Sequence, residues 1–393
     1  MDNYIKTQNL YTNVTEWHEA GITGKGVHVW DMEGLTDHGK YTRERILDAA
    51  PGATVTNRPW NMSCSSKELH SEYIYDEETK ENLHFADFVA KYKPQIFSCS
   101  KGGGTESRWM WSRPIMAEMR KTHNFVAFNS AGNDGLNGVK GGALPPEQSI
   151  YIAAAMMYKN DPKDIRIANY SSVGKEFEQV DFASFTGKQG HSGTSFSAPF
   201  VAGQTALLFE RYGEMSQDEV YNYLKMISVP LDTADDRDLR FDFAGGFYLY
   251  DHWSGYGIPV LPHLAQRYLV FKIDSRIYKQ DGKEYEMDTA PFIKDGRTFM
   301  PIAFVALALK ADVKWHKLTK QVEITKGKTR LLLKIGSTNY EVNGERKQFD
   351  TAPFIKDDRT FVPVSFIALE LGARVAWEKN AKLVQILEMG DGE

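Results

Sequence analysis

The chain has 393 residues, of which 42% are hydrophobic and 25% charged, and this composition is typical of a globular protein of roughly two or three domains. The formal net charge of −5 excludes a global basic field, so we expect no nucleic-acid partner. No apolar run approaches the roughly 18 residues that predict a membrane span, and two cysteines, Cys64 and Cys99, are too few for a disulfide framework.

The first residues, MDNYIKTQNLYTNV, are polar and lack the apolar core of a secretory signal peptide. If Met1 is the native start, we expect a cytoplasmic protein. If a leader has been removed from in front of this sequence, we expect a secreted or cell-surface protein. The sequence leaves both locations open.

The first predicted strand ends in a carboxylate. The segment GKGVHVWD, residues 24–31, predicts a buried strand with Asp31 at its carboxyl end, where sites form in open α/β sheets. Taken alone, Asp31 is more typical of a strand-ending residue that caps the next turn. The following segment predicts a helix that Asp37 caps, with His38 in its first turn. A single histidine at a helix start is usually part of the polar surface.

Strands and helices then alternate along the chain. Further strands are predicted within the segments 50–55, 94–104, 124–135, 149–156 and 179–184, and helices at 40–48, 81–92 and 108–122. The segment 124–135 ends with Asn133 between glycines, which is a common place for a turn asparagine. The alternation predicts an α/β fold with a parallel sheet flanked by helices.

The segment GTSFSAPFVAGQTALLFERYG, residues 193–213, predicts a tight turn followed by a helix. Small residues within it allow this helix to be buried against a sheet. Ser195 lies at the helix start, where backbone N–H groups and the helix dipole favour a developing negative charge. Four features therefore agree in chain order: an Asp at a strand end, a His at a helix start, an Asn in a glycine turn and a Ser at a buried helix start.

Residues 1–265 resemble the subtilisin-like serine proteases, or subtilases. The resemblance is carried by GVHVWDMEG, DHGKYTRERIL, NSAGNDG and, most specifically, GTSFSAPFVAG, with SGYGIPVLP near the end of the region. It implies a serine endopeptidase with a subtilisin-like fold that acts on polypeptides. The resemblance implies that no cofactor is required. Calcium is compatible with the resemblance but has no assigned position. The acidic loop at 232–238 could bind calcium but is more typical of a solvated charge run.

The resemblance also implies a role for each matching residue. Asp31, His38 and Ser195 would form a catalytic triad, and the Asn133 side chain would donate to the oxyanion. Three consecutive residues would form the strand edge that binds the substrate backbone: Ser100, Lys101 and Gly102.

Two departures from the family pattern bear on these roles. Asp31 is followed by MEG where the family usually has Thr-Gly or Ser-Gly, and only seven residues separate Asp31 from His38. Two other histidines, His70 and His84, are rivals for the role of base. An alternative reading is a catalytically inactive pseudoprotease that acts as a protein-binding module.

The C-terminal third of the chain repeats itself. A segment that begins MDTAPFIKDGRTFMP at Met287 recurs as FDTAPFIKDDRTFVP at Phe349, and the match extends over about 266–390. Each copy predicts three strands, a helix and two strands. We therefore predict a domain of residues 1–265 and a smaller α+β domain of residues 266–393, with repeats at about 266–327 and 328–390 that pack as a pair.

This repeat resembles the copper-amine-oxidase N-terminal-like, or stalk, module. The resemblance implies a binding or assembly domain whose partner, a protein or a cell-surface component, is unknown. His316 is the only histidine in the repeat and its counterpart is Glu378, so we predict no metal site.

Overall fold

The computed structural model describes residues 3–34, 36–59, 73–76, 79–100, 106–135, 144–174, 180–187, 192–231, 237–241 and 247–390. The chain divides into two compact units. The first unit consists of Met1–Leu239 and Leu249–Leu261, and the second of Arg240–Tyr248 and Pro262–Glu393.

Helices and strands alternate along most of the chain as far as residue 261. The helices are α1 (Asn3–Tyr11), α2 (Val14–Glu19), α3 (Asp37–Ala49), α4 (Phe85–Tyr92), α5 (Glu106–Thr122), α6 (Ser197–Tyr212) and α7 (Gln217–Ile227). The strands are β1 (His28–Asp31), β2 (Thr54–Asn57), β3 (Tyr73–Asp76), β4 (Glu81–His84), β5 (Ile96–Cys99), β6 (Val126–Ser130), β7 (Ile150–Met157), β8 (Ile165–Ile167), β9 (Phe182–Phe185), β10 (Ser228–Val229), β11 (Arg237–Phe241), β12 (Phe247–Asp251) and β13 (Ile258–Pro259).

The main sheet of the first unit has the strand order β2-β1-β5-β6-β7-β8, and β9 also pairs with β7. All of these pairs are parallel except β7–β8. Apolar side chains of β1, β5 and β6 pack with residues of α4 and α5, and α6 contacts the same strands. Because helices cover both faces of the sheet, strands β1, β5 and β6 consist mainly of apolar residues. The predicted α/β fold with a mostly parallel sheet is confirmed.

Helix α6 is buried along most of its length because small residues allow close approach. A Cβ atom at Gly203 would lie 2.5 Å from the carbonyl oxygen of Ile46 and 2.7 Å from the Cβ of Ala49. Helix α3 thus packs directly against α6 at this point. Since His38 lies on α3 and Ser195 precedes α6, this contact fixes the two segments relative to each other.

Gly203→Ala is expected to lower the free energy of unfolding by about 1–3 kcal/mol, because the new methyl group has no space between the helices. Urea denaturation measures the effect. Gly390→Ala is a matched control, since its Cβ would meet only the side chain of Gln266, at 3.4 Å. Wild-type stability in Gly203→Ala would contradict the close helix contact.

Two local predictions in the first unit were wrong. Helix α4 begins only at Phe85, because residues 81–84 form β4, which pairs with β3. Helix α3 is capped by Thr36 and not by Asp37: the Thr36 hydroxyl accepts a hydrogen bond from the N–H of Gly39 at 3.3 Å. His38 nevertheless lies in the first turn, as predicted.

The second unit is mostly antiparallel β-structure. Its strands are β14 (Tyr268–Lys272), β15 (Ile277–Gln280), β16 (Lys283–Glu286), β17 (Phe292–Lys294), β18 (Arg297–Pro301), β19 (Asp312–His316), β20 (Gln321–Lys326), β21 (Thr329–Lys334), β22 (Asn339–Val342), β23 (Glu345–Gln348), β24 (Phe354–Lys356), β25 (Arg359–Pro363), β26 (Ala373–Glu378) and β27 (Leu383–Glu388). Its helices are α8 (Ile302–Ala308) and α9 (Val364–Glu370).

The two repeats share their sheets. The closing strands of the second repeat complete the sheet of the first, in the order β16-β15-β14-β27-β26, and those of the first complete the order β19-β20-β21-β22-β23. A third sheet has the order β17-β18-β25-β24. Buried residues from both repeats form one apolar cluster. The copies therefore pack as an interleaved pair.

The predicted hairpin turns in the repeats are present, but the strand count was wrong. Asp281 and Gly282 both have positive φ values, 49° and 80°, as a two-residue hairpin turn requires. Each repeat has five strands before its helix and not three. The segment 271–278, predicted as one strand, is interrupted at Asp274, whose φ is 62°.

Among the helices within the described ranges, none has both the length and the apolar character needed to cross a membrane.

Candidate active site

Three of the predicted site residues lie at the carboxyl edge of the main sheet. Asp31 is the last residue of β1, Ser100 follows β5, and Asn133 follows β6. Ser195 lies in a short 3₁₀ turn, Thr194–Phe196, that leads into α6. Because parallel strands end at the same edge, these segments converge there.

Asp31 is fully buried, and its two carboxylate oxygens differ in their hydrogen bonding. Its Oδ2 accepts hydrogen bonds from the Thr42 hydroxyl at 2.6 Å and from Nδ2 of Asn57 at 2.8 Å. Within the described residues its Oδ1 has no hydrogen-bond partner. Burial raises the pKa of Asp31 to about 7, an effect that the hydrogen bond from Thr42 opposes.

The raised pKa of Asp31 predicts a stability that falls with pH. The carboxyl titrates near pH 4 in an unfolded chain and near pH 7 in the folded one. Its contribution to stability is therefore complete below about pH 4 and is lost as the pH rises to about 7. Asp31→Asn does not titrate, so its stability relative to the wild type should be higher at pH 8 than at pH 5.

Urea denaturation at the two pH values measures this change. The stability difference is expected to change by up to about 1.4 kcal/mol for each pH unit between the two pKa values. Asp37→Asn, which removes an exposed carboxylate, is the control. If the stability difference between Asp31→Asn and the wild type is the same at both pH values, burial of the Asp31 charge does not cost stability and the prediction is wrong.

His38 has a carboxylate partner, and this partner is Glu33. Nδ1 of His38 lies 3.5 Å from Oε2 of Glu33, and the imidazole is 43% exposed. The contact with Glu33 raises the pKa of His38, burial opposes that rise, and the charges of Glu33 and Asp31 reinforce it. The imidazole ring lies 5.6 Å from the ring of Phe196, between ring centroids.

Gly39 makes the short connection between Asp31 and His38 possible. A Cβ atom at Gly39 would lie 1.8 Å from the carbonyl oxygen of Gly34. Gly34 therefore lies tightly against the first turn of α3, and no side chain fits at position 39. Leu35, in the middle of the connection, lies outside the described residues.

Ser195 is joined to Ser100 by two hydrogen bonds. The Ser195 hydroxyl donates to the carbonyl oxygen of Ser100 at 3.2 Å, and the Ser100 hydroxyl donates to the carbonyl oxygen of Ser195 at 2.9 Å. The structure thus brings these two predicted residues together directly. Among the described contacts, the hydroxyl of Ser195 makes no hydrogen bond to His38; the link to His38 is the ring of Phe196, the next residue.

Asn133 is held against the residue that precedes Ser195. Its Oδ1 accepts hydrogen bonds from the backbone N–H of Thr194 at 2.9 Å and from the Thr194 hydroxyl at 3.1 Å. The Thr194 hydroxyl also accepts from the N–H of Gly132 at 3.1 Å. With Oδ1 occupied in this way, the amide presents Nδ2 as its donor.

Two residues at the site escaped the sequence analysis. Arg45 is buried on α3, and its Nε donates to the carbonyl oxygen of Phe196 at 3.4 Å and its Nη2 to that of Phe185 at 3.2 Å. The signal for Arg45 was its place on the buried face of α3, with Thr42, Ile46 and Ala49. The signal for Glu33 was the unusual MEG that follows Asp31.

The remaining predicted residues are either outside the described ranges or on other elements. Lys101, Gly102, His70 and residues 232–236 of the acidic loop are outside the described residues. His84, a rival for the role of base, precedes α4, and its Nδ1 accepts from the N–H of Ala86 at 3.3 Å. Of the two cysteines, Cys99 is buried, and Cys64 lies outside the described residues.

The family model described as "Subtilase family" matches residues 46–247, slightly more than half of the chain. The chain belongs to the subtilase family. The matched range includes Asn133 and Ser195 and begins after Asp31 and His38. The family predicted from the sequence motifs is therefore confirmed. Membership of this family suggests that the substrate is a polypeptide.

A second family model, "Copper amine oxidase N-terminal domain", matches residues 279–386 of this subtilase. The region follows the subtilase domain, as the repeat predicted. Nε2 of His316 lies 2.6 Å from Oε2 of Glu323. Within the described residues, no group of three or more His, Cys, Asp or Glu side chains is arranged to hold a metal ion. The donor set does not fit a copper site, and we assign no metal chemistry to this region.

Solved structures that match parts of this chain include MycP1 from Mycobacterium smegmatis, with 15% identity and a TM-score of 0.42 over 65% of this chain and 82% of that one. A structure of MycP1 with the N-terminal propeptide removed has 15% identity and a TM-score of 0.42 over 65% of this chain and 95% of that one. A structure titled S41 psychrophilic protease has 15% identity and a TM-score of 0.43 over 61% and 92%. A search among curated proteins found no match.

Proposed function

We propose that this subtilase is a serine endopeptidase that hydrolyses peptide bonds through Asp31, His38 and Ser195. The observation that carries the proposal is the bonding of Asn133 to Thr194, beside Ser195, within a chain of the subtilase family. It brings an amide donor to the turn that holds a candidate nucleophile, as stabilisation of an oxyanion requires. The role of each residue is part of the proposal.

In the acylation step, Nε2 of His38 takes the proton of the Ser195 hydroxyl while Oγ bonds to the carbonyl carbon of the substrate. The carbonyl oxygen becomes an oxyanion that accepts from Nδ2 of Asn133 and from the backbone N–H of Ser195. His38 then gives its proton to the leaving nitrogen, and the C–N bond breaks. The negative charge of Asp31 favours the imidazolium during this step.

Deacylation repeats the sequence with water. His38 takes a proton from the water, the hydroxide oxygen bonds to the acyl carbon, and the same donors hold the second oxyanion. The proton then returns to Oγ of Ser195 as the ester C–O bond breaks. The product acid leaves and the enzyme returns to its starting state.

The substrate backbone is proposed to bind as an added strand along Ser100, Lys101 and Gly102. The two hydrogen bonds between Ser100 and Ser195 support this placement because they bring the end of β5 to the nucleophile. Binding there lets the substrate carbonyl approach Ser195.

A peptide-library digest with the wild type beside Ser195→Ala tests the function. The wild type is expected to cleave internal bonds with a defined residue preference, and Ser195→Ala should leave the same peptides intact. Cleavage by both proteins would refute Ser195 as the nucleophile. Cleavage by neither would favour the second candidate below.

The second candidate function is a pseudoprotease that binds polypeptides without cutting them. The hydrogen bond from the Ser195 hydroxyl to the carbonyl oxygen of Ser100 favours it, because it engages Oγ with a group that is not a base. Peptides retained by the wild type without turnover in the same digest would support this function.

The region beyond residue 265 is proposed as a binding or assembly domain for a protein or cell-surface partner. The match to the copper amine oxidase N-terminal domain supports a role separate from catalysis. A chain that ends at residue 265 is expected to cleave the same peptides as the full chain with a similar kcat/KM. Loss of cleavage in a truncated protein that keeps its folded circular dichroism would contradict this division.

A further inference from the structure

Two carboxylates lie on the short connection between β1 and α3. Asp31 ends the strand and Glu33 follows two residues later, and both are buried, with Glu33 only 8% exposed. The ion-pair contact of the His38 imidazole is with Glu33, whose Oε2 lies 3.5 Å from Nδ1. The connection therefore offers His38 a second carboxylate beside Asp31.

We propose that Glu33 is a positioning residue for His38, holding its Nδ1–H so that Nε2 is presented to Ser195. The inference rests on the proposed peptidase function and adds a residue to it. Asp31 then acts on the imidazole through its charge, and Glu33 acts through contact.

The bonding of Asp31 supports this division of roles. One of its oxygens, Oδ2, already accepts from Thr42 and Asn57. Complete burial raises the pKa of Asp31 to about 7, which disfavours its charged form. An Asp31 whose charged form is disfavoured stabilises an imidazolium less, and Glu33 provides a second carboxylate in contact with the ring.

The placement of Glu33 suits that task. Its Oε1 is buried and has no hydrogen-bond partner among the described residues, so the carboxylate is not committed to a structural bond. The 3.5 Å separation from Nδ1 is longer than an ordinary hydrogen bond of about 2.7–3.2 Å. Contacts of catalytic groups often tighten when substrate binds. The close fit of Gly39 against Gly34 keeps the connection in this arrangement.

Among the residues that the structure describes, few charged groups face His38. Asp31 on β1 and Glu33 on the connection act on the imidazole, and both raise its pKa. On α3 itself, Asp37 and Lys40 pair with each other at 3.3 Å and are exposed. The segment of Ser195 presents the uncharged ring of Phe196. Removing the charge of Glu33 should therefore lower the pKa of His38.

The pH profile of kcat/KM for the full chain tests the proposal. In Glu33→Gln the acid limb is expected to move to lower pH, and kcat should fall by about 10²-fold with little change in KM, because the imidazole is misplaced. Glu33→Asp keeps the charge and should retain the wild-type acid limb. Asp37→Asn, which removes an exposed charge next to His38, should change neither quantity.

An NMR titration of His38 provides a readout that does not need activity. It uses the full chain with Ser195→Ala, with and without Glu33→Gln, and His38→Gln identifies the signal. A His38 pKa that falls in Glu33→Gln supports the proposal, even if no peptide is cleaved and the proposed function fails. A titration unchanged by Glu33→Gln but lowered by Asp31→Asn would overturn it, as would an acid limb that does not move.

Discussion

Replacing His38 with alanine is expected to lower kcat for peptide hydrolysis by about 10⁴- to 10⁶-fold with little change in KM. A serine hydroxyl is a weak nucleophile near neutral pH and needs an adjacent base. In this subtilase the proposed base, His38, lies in the first turn of α3, and the packing of α3 against α6 at Gly203 places it near the Ser195 turn. Steady-state kinetics on a peptide found in the library digest measure the loss.

The two rival histidines are the matched controls for His38. His84→Ala removes a side chain that accepts a hydrogen bond at the start of α4, and kcat should stay close to the wild-type value. His70→Ala should behave in the same way. If either control loses most of its kcat while His38→Ala stays active, the base is not His38.

Asn133→Ala is expected to lower kcat by about 10²- to 10³-fold, since one donor to the oxyanion is lost. Because the hydrogen bond to the oxyanion forms only in the transition state, KM should change little. Asn133→Asp keeps the side-chain shape and an acceptor for Thr194 but removes the Nδ2 donor, and it should be equally impaired. Kinetics with the same peptide measure both variants.

Thr194→Ser is the control for Asn133. It keeps the hydroxyl that donates to Oδ1 of Asn133 and accepts from the N–H of Gly132, so kcat should remain close to the wild type. Wild-type kcat in Asn133→Ala would mean that the amide serves only to hold Thr194. The mechanism would then lack its proposed side-chain oxyanion donor.

Features that depend on local sequence were predictable. The buried strand that ends at Asp31, the glycine turn at Asn133 and the small residues around Gly203 each express a period or a turn preference in a short segment. The α/β fold follows from their alternation. The turn at Asp281 and Gly282 was predictable for the same reason, because both residues tolerate a positive φ.

Features that depend on long-range contacts were not predictable in the same way. The contact of Glu33 with His38 needs the connection to close at Gly39, and the bond of Arg45 to Phe196 joins segments that are distant in sequence. The closing strands of each repeat pair with the other repeat, and two similar repeats offer each strand more than one possible partner. The domain boundary at residue 265 stays a prediction, and the segment Arg240–Tyr248 groups with the second unit.

Labelling with a fluorophosphonate tests most directly whether His38 activates Ser195. The probe is added to the full chain in the wild type and in His38→Gln, and mass spectrometry locates and times the adduct. We expect a single adduct on Ser195 in the wild type and labelling at least about 10³-fold slower in His38→Gln. An unlabelled wild type, or equally fast labelling of both proteins, would contradict the account.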